Sequence, residues 1–81
     1  MMSVTVLLFA SYADALGTTS LSLALPAGAR VSDVLAHVRA LPGASKLPAA
    51  PLVAVNHTYA KLDARLEPGD QVAIIPPVAG G

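Results

Sequence analysis

The chain contains no cysteine. That removes disulfides, thiolate metal sites and cysteine nucleophiles together. Any sulfur chemistry must therefore use sulfur brought from outside. Net charge of either sign is also missing, because five basic and five acidic residues cancel. The basic residues Arg30, Arg39, Lys46, Lys61 and Arg65 are scattered. They form no stripe that would follow a phosphate backbone, and three aromatic residues are too few to stack on a strand of bases. A nucleic-acid role is not expected. No apolar run approaches the roughly 18–20 residues of a membrane span. The first basic residue is Arg30, so no positive leader opens the chain. These absences predict a cytoplasmic protein with no membrane partner.

Charge is scarce as well as balanced. Charged residues make up 12% of the chain and hydrophobic residues 54%, against roughly 25% charged in ordinary soluble domains. With 81 residues, the chain forms one domain and buries only about 60% of its unfolded surface. It has room for one modest core and little for an enclosed active site. Part of the apolar surplus is expected on the surface, facing a partner; the blander alternative is an Ala-rich composition, since Ala counts as hydrophobic.

Val4 to Ala10 is β-branched and aromatic, apolar at both parities, and predicts a central strand covered on both sides. Ser11 to Gly17 breaks this run with a short helical turn. Ser20 to Leu25 alternates Leu21, Leu23 and Leu25 with Ser20, Ser22 and Ala24, which predicts an amphipathic strand returning as a hairpin. After a turn at Pro26, Ala27 and Gly28, Ser32 stands as an N-cap with Asp33 in the first turn. Val31, Val34, Leu35, Val38 and Leu41 recur at helical spacing until Pro42 and Gly43. Residues 42–51 hold three prolines and read as a loop. Leu52 to Asn56 is a short strand. A weaker one near Thr58 to Lys61 follows a turn at Asn56-His57. Glu67-Pro68-Gly69-Asp70 fits a type II turn, and Gln71 to Ile75 is the last strand.

This order predicts an α+β fold: the β-grasp, or ubiquitin-like, arrangement. One main helix crosses a mixed sheet whose last strand pairs with its first in the middle. The organisation expected is a body at 1–75 and an extended C-terminal tail at 76–81. The tail reads Pro76-Pro77-Val78-Ala79-Gly80-Gly81. Its prolines lack N–H groups and cannot extend a sheet. Six extended residues reach about 20 Å. Val78 offers one apolar anchor, and Gly80 and Gly81 carry no side chain, so the terminal carboxyl could thread a narrow channel. A terminal glycine carboxylate can attack the α-phosphate of ATP to form an acyl-adenylate. A sulfur nucleophile can then displace AMP and leave a thiocarboxylate. The chain has no glycine-rich phosphate loop of its own, so activation falls to a partner, and no cofactor is expected on this chain.

Other residues carry blander readings. His37 and His57 read as polar surface, without the companions a metal site needs. Asp63, Glu67 and Asp70 could suggest an acid cluster, but turn chemistry accounts for Glu67 and Asp70. Tyr12 and Tyr59 read as half-buried packing and Phe9 as core. No setting for Ser-His-Asp catalysis is visible.

The chain closely resembles the small subunit of molybdopterin synthase, the MoaD family. The likeness runs through Phe9-Ala10 and Gly17, then Val55-Asn56, Leu66, Gly69-Asp70, Val72-Ala73 and the whole of Pro76 to Gly81. Two places depart from it: the pair Ala13-Asp14 stands where the family often has Arg-Glu, and Ile75 where an aromatic is common. The resemblance implies a non-catalytic sulfur carrier in molybdenum-cofactor synthesis. The Gly81 carboxylate would be adenylated by a ubiquitin-activating-type adenylyltransferase, which uses the ATP, and converted to a thiocarboxylate. Residues Pro76 to Gly80 would insert into the synthase large subunit, where sulfur passes to cyclic pyranopterin monophosphate. The family's synthase is a heterotetramer of two small and two large subunits and is, as a complex, a sulfurtransferase. The alternatives are a sulfur carrier of the thiamine or tRNA-thiolation type, or a ubiquitin-like protein modifier.

Overall fold

The computed structural model describes residues 1–9, 11–44 and 51–75. The tail Pro76 to Gly81, with every residue expected to carry the chemistry, lies outside the described residues. So do Ala10 and residues 45–50.

Seven elements follow in order: β1 (Met2–Leu8), α1 (Ser11–Leu16), β2 (Ser20–Leu25), α2 (Val31–Arg39), β3 (Leu52–Val55), β4 (Thr58–Tyr59) and β5 (Gln71–Ile75). The strands form one sheet in the order β2-β1-β5-β3-β4. β1 and β2 pair antiparallel as a hairpin, and β5 lies parallel to β1 at the centre. The β-grasp expected from the element order is thus the observed fold. Among the described residues, no helix is long and apolar enough to cross a membrane.

The core lies on one face of the sheet. Met2, Val4, Val6 and Leu8 alternate inward along β1 and meet Leu25 of β2, Val72 and Ile74 of β5 and Val53 of β3. Val31, Val34, Leu35 and Val38 of α2 close over them, as their spacing predicts. Each fully buried valine or leucine contributes about 1.5–3 kcal/mol. β1 is therefore covered on one side only, which corrects the expectation of a strand buried on both. Ser3 and Thr5 fix the parity: Leu7 and Phe9 share their face and stay half-buried and exposed.

The start of α2 also differs from the expectation. The N-cap is Arg30, not Ser32. Asp33 sits at the third helical position, and its carboxylate accepts the Arg30 backbone N–H at 2.8 Å. The N–H groups of Val31 and Ser32 donate to the carbonyls of Ala64 and Leu62 at 3.0 and 2.9 Å. Carbonyls of a distant loop thus satisfy the first two N–H groups of the helix, which have no partner within it. At the other end, Gly43 passes so close to α1 that a Cβ there would strike the Ala15 carbonyl oxygen.

Candidate functional site

The uncovered face of the sheet is where the apolar surplus surfaces. The strand register aligns Leu7 with Ala73, Ala73 with Ala54, and Ala54 with Tyr59. This row crosses four strands with two alanines in the middle and a large side chain at each end. Small residues flanked by large ones leave a depression, and a hollow of about 280 Å³ occupies it. Phe9, His57, Gln71 and Ile75 complete its rim. No Asp, Glu, Lys or Arg is among these lining residues.

Three large side chains near this face are far from buried: Phe9 at 46%, Leu52 at 42% and Tyr59 at 72% exposure. Leu52 pairs with Ile75 across the ladder. Phe9 stands one position beyond the Leu8–Ile74 pair that ends the β1–β5 ladder. The hollow therefore opens beside Ile75, the residue after which the tail sequence begins.

A polar clamp holds the hollow's far rim. Asn56 and His57 both take positive φ, 51° and 73°, the pairing a tight hairpin turn requires. The Asn56 amide nitrogen donates to the Asp70 carboxylate at 2.9 Å, and its side-chain oxygen accepts the Gln71 N–H at 3.0 Å. The other Asp70 oxygen accepts the Glu67 N–H at 2.8 Å. One carboxylate thus ties the β3–β4 turn to the turn before β5, where Gly69 takes a φ of +83°.

The remaining candidates fall where general chemistry places them. His37 and His57 are exposed, and no group of three metal-ligating side chains exists among the described residues. Phe9 and Tyr59 are the residues sequence reasoning missed, since Phe9 reads as core and Tyr59 as half-buried. The signal for Phe9 was its parity with Ser3 and Thr5. Nothing comparable marks Tyr59, because β4 is two residues long and exposed on both. Tyr12, read as half-buried, is wholly buried.

A sequence model of the ThiS family matches residues 6–81. Among solved structures, a molybdopterin converting factor subunit 1 from Pyrococcus furiosus is 29% identical with a TM-score of 0.86, over 96% of this chain and all (100%) of that one. SAMP1 from Haloferax volcanii is 31% identical with a TM-score of 0.82, over 98% of this chain and 99% of that one. A Helicobacter pylori structure is a complex of subunits 1 and 2 of its molybdopterin-converting factor. The chain in it that matches is 21% identical with a TM-score of 0.73, over 99% of this chain and 100% of that one, and shares the fold.

Proposed function

The chain belongs to the ThiS family, and from that premise we propose that it is a sulfur carrier whose working group is the carboxyl of Gly81. A partner adenylyltransferase activates that carboxyl with ATP, and a sulfur nucleophile displaces AMP to leave a thiocarboxylate. The observation that carries this reading is the coincidence of two features. The family match runs through Gly81, and a largely apolar hollow, with no Asp, Glu, Lys or Arg in its lining, lies at Ile75, immediately before the tail sequence. A partner that covers the hollow holds the chain where residues 76–81 can reach its reaction centre.

The finer assignment is the small subunit of molybdopterin synthase. Its tail residues Pro76, Pro77, Val78, Ala79 and Gly80 enter a large subunit, and sulfur passes from Gly81 to cyclic pyranopterin monophosphate. The Pyrococcus furiosus likeness supports it. The Helicobacter pylori complex supports a large-subunit partner. In this reading the chain is not itself an enzyme, and the catalytic groups belong to the partners. The likeness to SAMP1 favours a second reading, in which the activated Gly81 carboxyl is transferred to lysines as a protein modifier.

Intact mass separates the readings. The chain is incubated with ATP, its activating enzyme and a sulfur donor. The carrier gains the mass of one oxygen-to-sulfur exchange, and adding residues after Gly81 abolishes the gain while the fold persists. Isopeptide adducts on lysines without a thiocarboxylate function support the modifier. No change in mass with any activating system overturns both.

A further inference from the structure

The hairpin strand β2 has a second surface unrelated to the hollow. Among the described residues it is one edge of the sheet, with β1 its only paired neighbour. Natural sheets blunt such edges with charges, prolines or bulges. Ser20–Leu25 carries none of these.

Which backbone groups face outward follows from the ladder. Leu8 N–H donates to the Thr19 carbonyl at 2.9 Å. Antiparallel pairs alternate between hydrogen-bonded and not. In the observed register, Leu21, Leu23 and Leu25 therefore bond to β1, while Ser20, Ser22 and Ala24 turn their N–H and C=O away. Thr5 confirms the phase: it sits opposite Ser22, yet its N–H goes to the Asp70 carbonyl on the β5 side. The outward groups of Ser20 are taken, because the Thr18 hydroxyl donates to its carbonyl at 2.9 Å and accepts its N–H at 3.4 Å. Ser22 and Ala24 keep theirs, two donors and two acceptors, with no partner among the described residues.

These four groups are self-complementary, and we propose that β2 pairs antiparallel with β2 of a second copy about a two-fold axis at Leu23. Ser22 of each copy then faces Ala24 of the other, and all four free groups are satisfied in two hydrogen-bonded pairs. Both Thr18 caps stay in place, because Ser20 falls opposite Pro26 of the second copy, which has no N–H to offer. A two-fold centred on Ser22 would instead pair Ser20 with Ala24 and break both caps. Leu23, half-buried on the helix side, meets its own copy. Leu21 of the second copy lies opposite Leu25, beside the hollow of about 380 Å³ lined by Leu25, Pro26, Ala36 and His37. With no charge on the strand, nothing repels. The axis is normal to the sheet, so both open faces point the same way and remain free. The contact is small and belongs to the weak class of interfaces. Pairing is seen at millimolar and not at micromolar concentration.

Because the chain has no cysteine, single thiols report the register. Cα atoms of a non-hydrogen-bonded antiparallel pair lie about 4.5 Å apart, within disulfide reach. Ser22→Cys, Leu23→Cys and Ala24→Cys are oxidised side by side at high concentration and read by intact mass. Leu23→Cys gives at least ~10-fold more covalent dimer than either neighbour, since only the residue on the axis faces itself. Equal yields, no dimer, or a preference for Ser22→Cys overturn the proposal. The unsubstituted chain gives an independent reading that no folding defect can confuse. Its Ser22 and Ala24 amides become protected from exchange as concentration rises to millimolar. Amides that stay unprotected, or that gain protection only when a different protein is added, overturn it as well.

Discussion

Tyr12 is wholly buried, yet its hydroxyl meets no hydrogen-bond partner among the described residues. A buried, unsatisfied hydroxyl costs about 1–3 kcal/mol. Burial also raises the phenol above the ordinary tyrosine value near 10, and this outweighs the opposing pull of Arg39. The sign follows from proton binding. Above pH ~10 the unfolded chain loses the phenolic proton first, so the native state is progressively disfavoured as pH rises toward the folded value. Tyr12→Phe keeps the ring and removes the hydroxyl. Its urea midpoint at neutral pH should rise by the equivalent of about 1 kcal/mol, and its stability should decline less between neutrality and strong alkali. A variant less stable than the parent would mean that the hydroxyl is satisfied in solution.

At the scale of elements, the two helices are tied through a single glycine. Gly43 follows α2 with a φ of +89°, and its Cα lies against the Ala15 carbonyl of α1. A methyl group there meets backbone, which cannot rotate away as a side chain would. Gly43→Ala adds the left-handed strain of about 1–2 kcal/mol to an overpacking term of about 1–3 kcal/mol. Chemical denaturation should show a loss of at least about 2 kcal/mol, whereas no loss would show that the two helices separate freely. Proline and glycine at 42 and 43 announce the end of α2 in the sequence, but this contact is invisible there, because it joins residues 28 positions apart. The same division holds elsewhere. Strand alternation in Ser20–Leu25 and the helical stripe of Val31 to Val38 are local periodicities, so both could be read directly. The pairing of β5 with β1 came from element order. The cap at Arg30 could not be read, because its neighbours' donors are satisfied by Leu62 and Ala64. The tail motif is legible in the sequence itself, and its residues lie outside the described ones. The hollow was not, because it exists only when Leu7, Ala73, Ala54 and Tyr59 are aligned by the register of four strands.

At the scale of the whole molecule, helices and core occupy one side of the sheet, and the other side is open among the described residues. This division is possible because the core needs only one parity of β1, leaving Leu7 and Phe9 free to face outward. The proposed carrier then has two separable parts: a face that binds partners and an end that reacts. Their loss should have different kinetic signatures. Phe9 is 46% exposed, so Phe9→Ser removes little from the core, and its stability should change by less than about 1 kcal/mol. At a central contact, truncation of an aromatic costs about 2 kcal/mol of binding, near 30-fold in affinity. In steady-state activation of the chain by its adenylyltransferase, Phe9→Ser should therefore raise KM by about 30-fold and leave kcat nearly unchanged. Extension beyond Gly81 should do the reverse, keeping partner affinity while abolishing turnover. If Phe9→Ser lowered kcat with KM unchanged, the open face would act on the chemical step and not on docking, and the division into a binding side and a reactive end would fail.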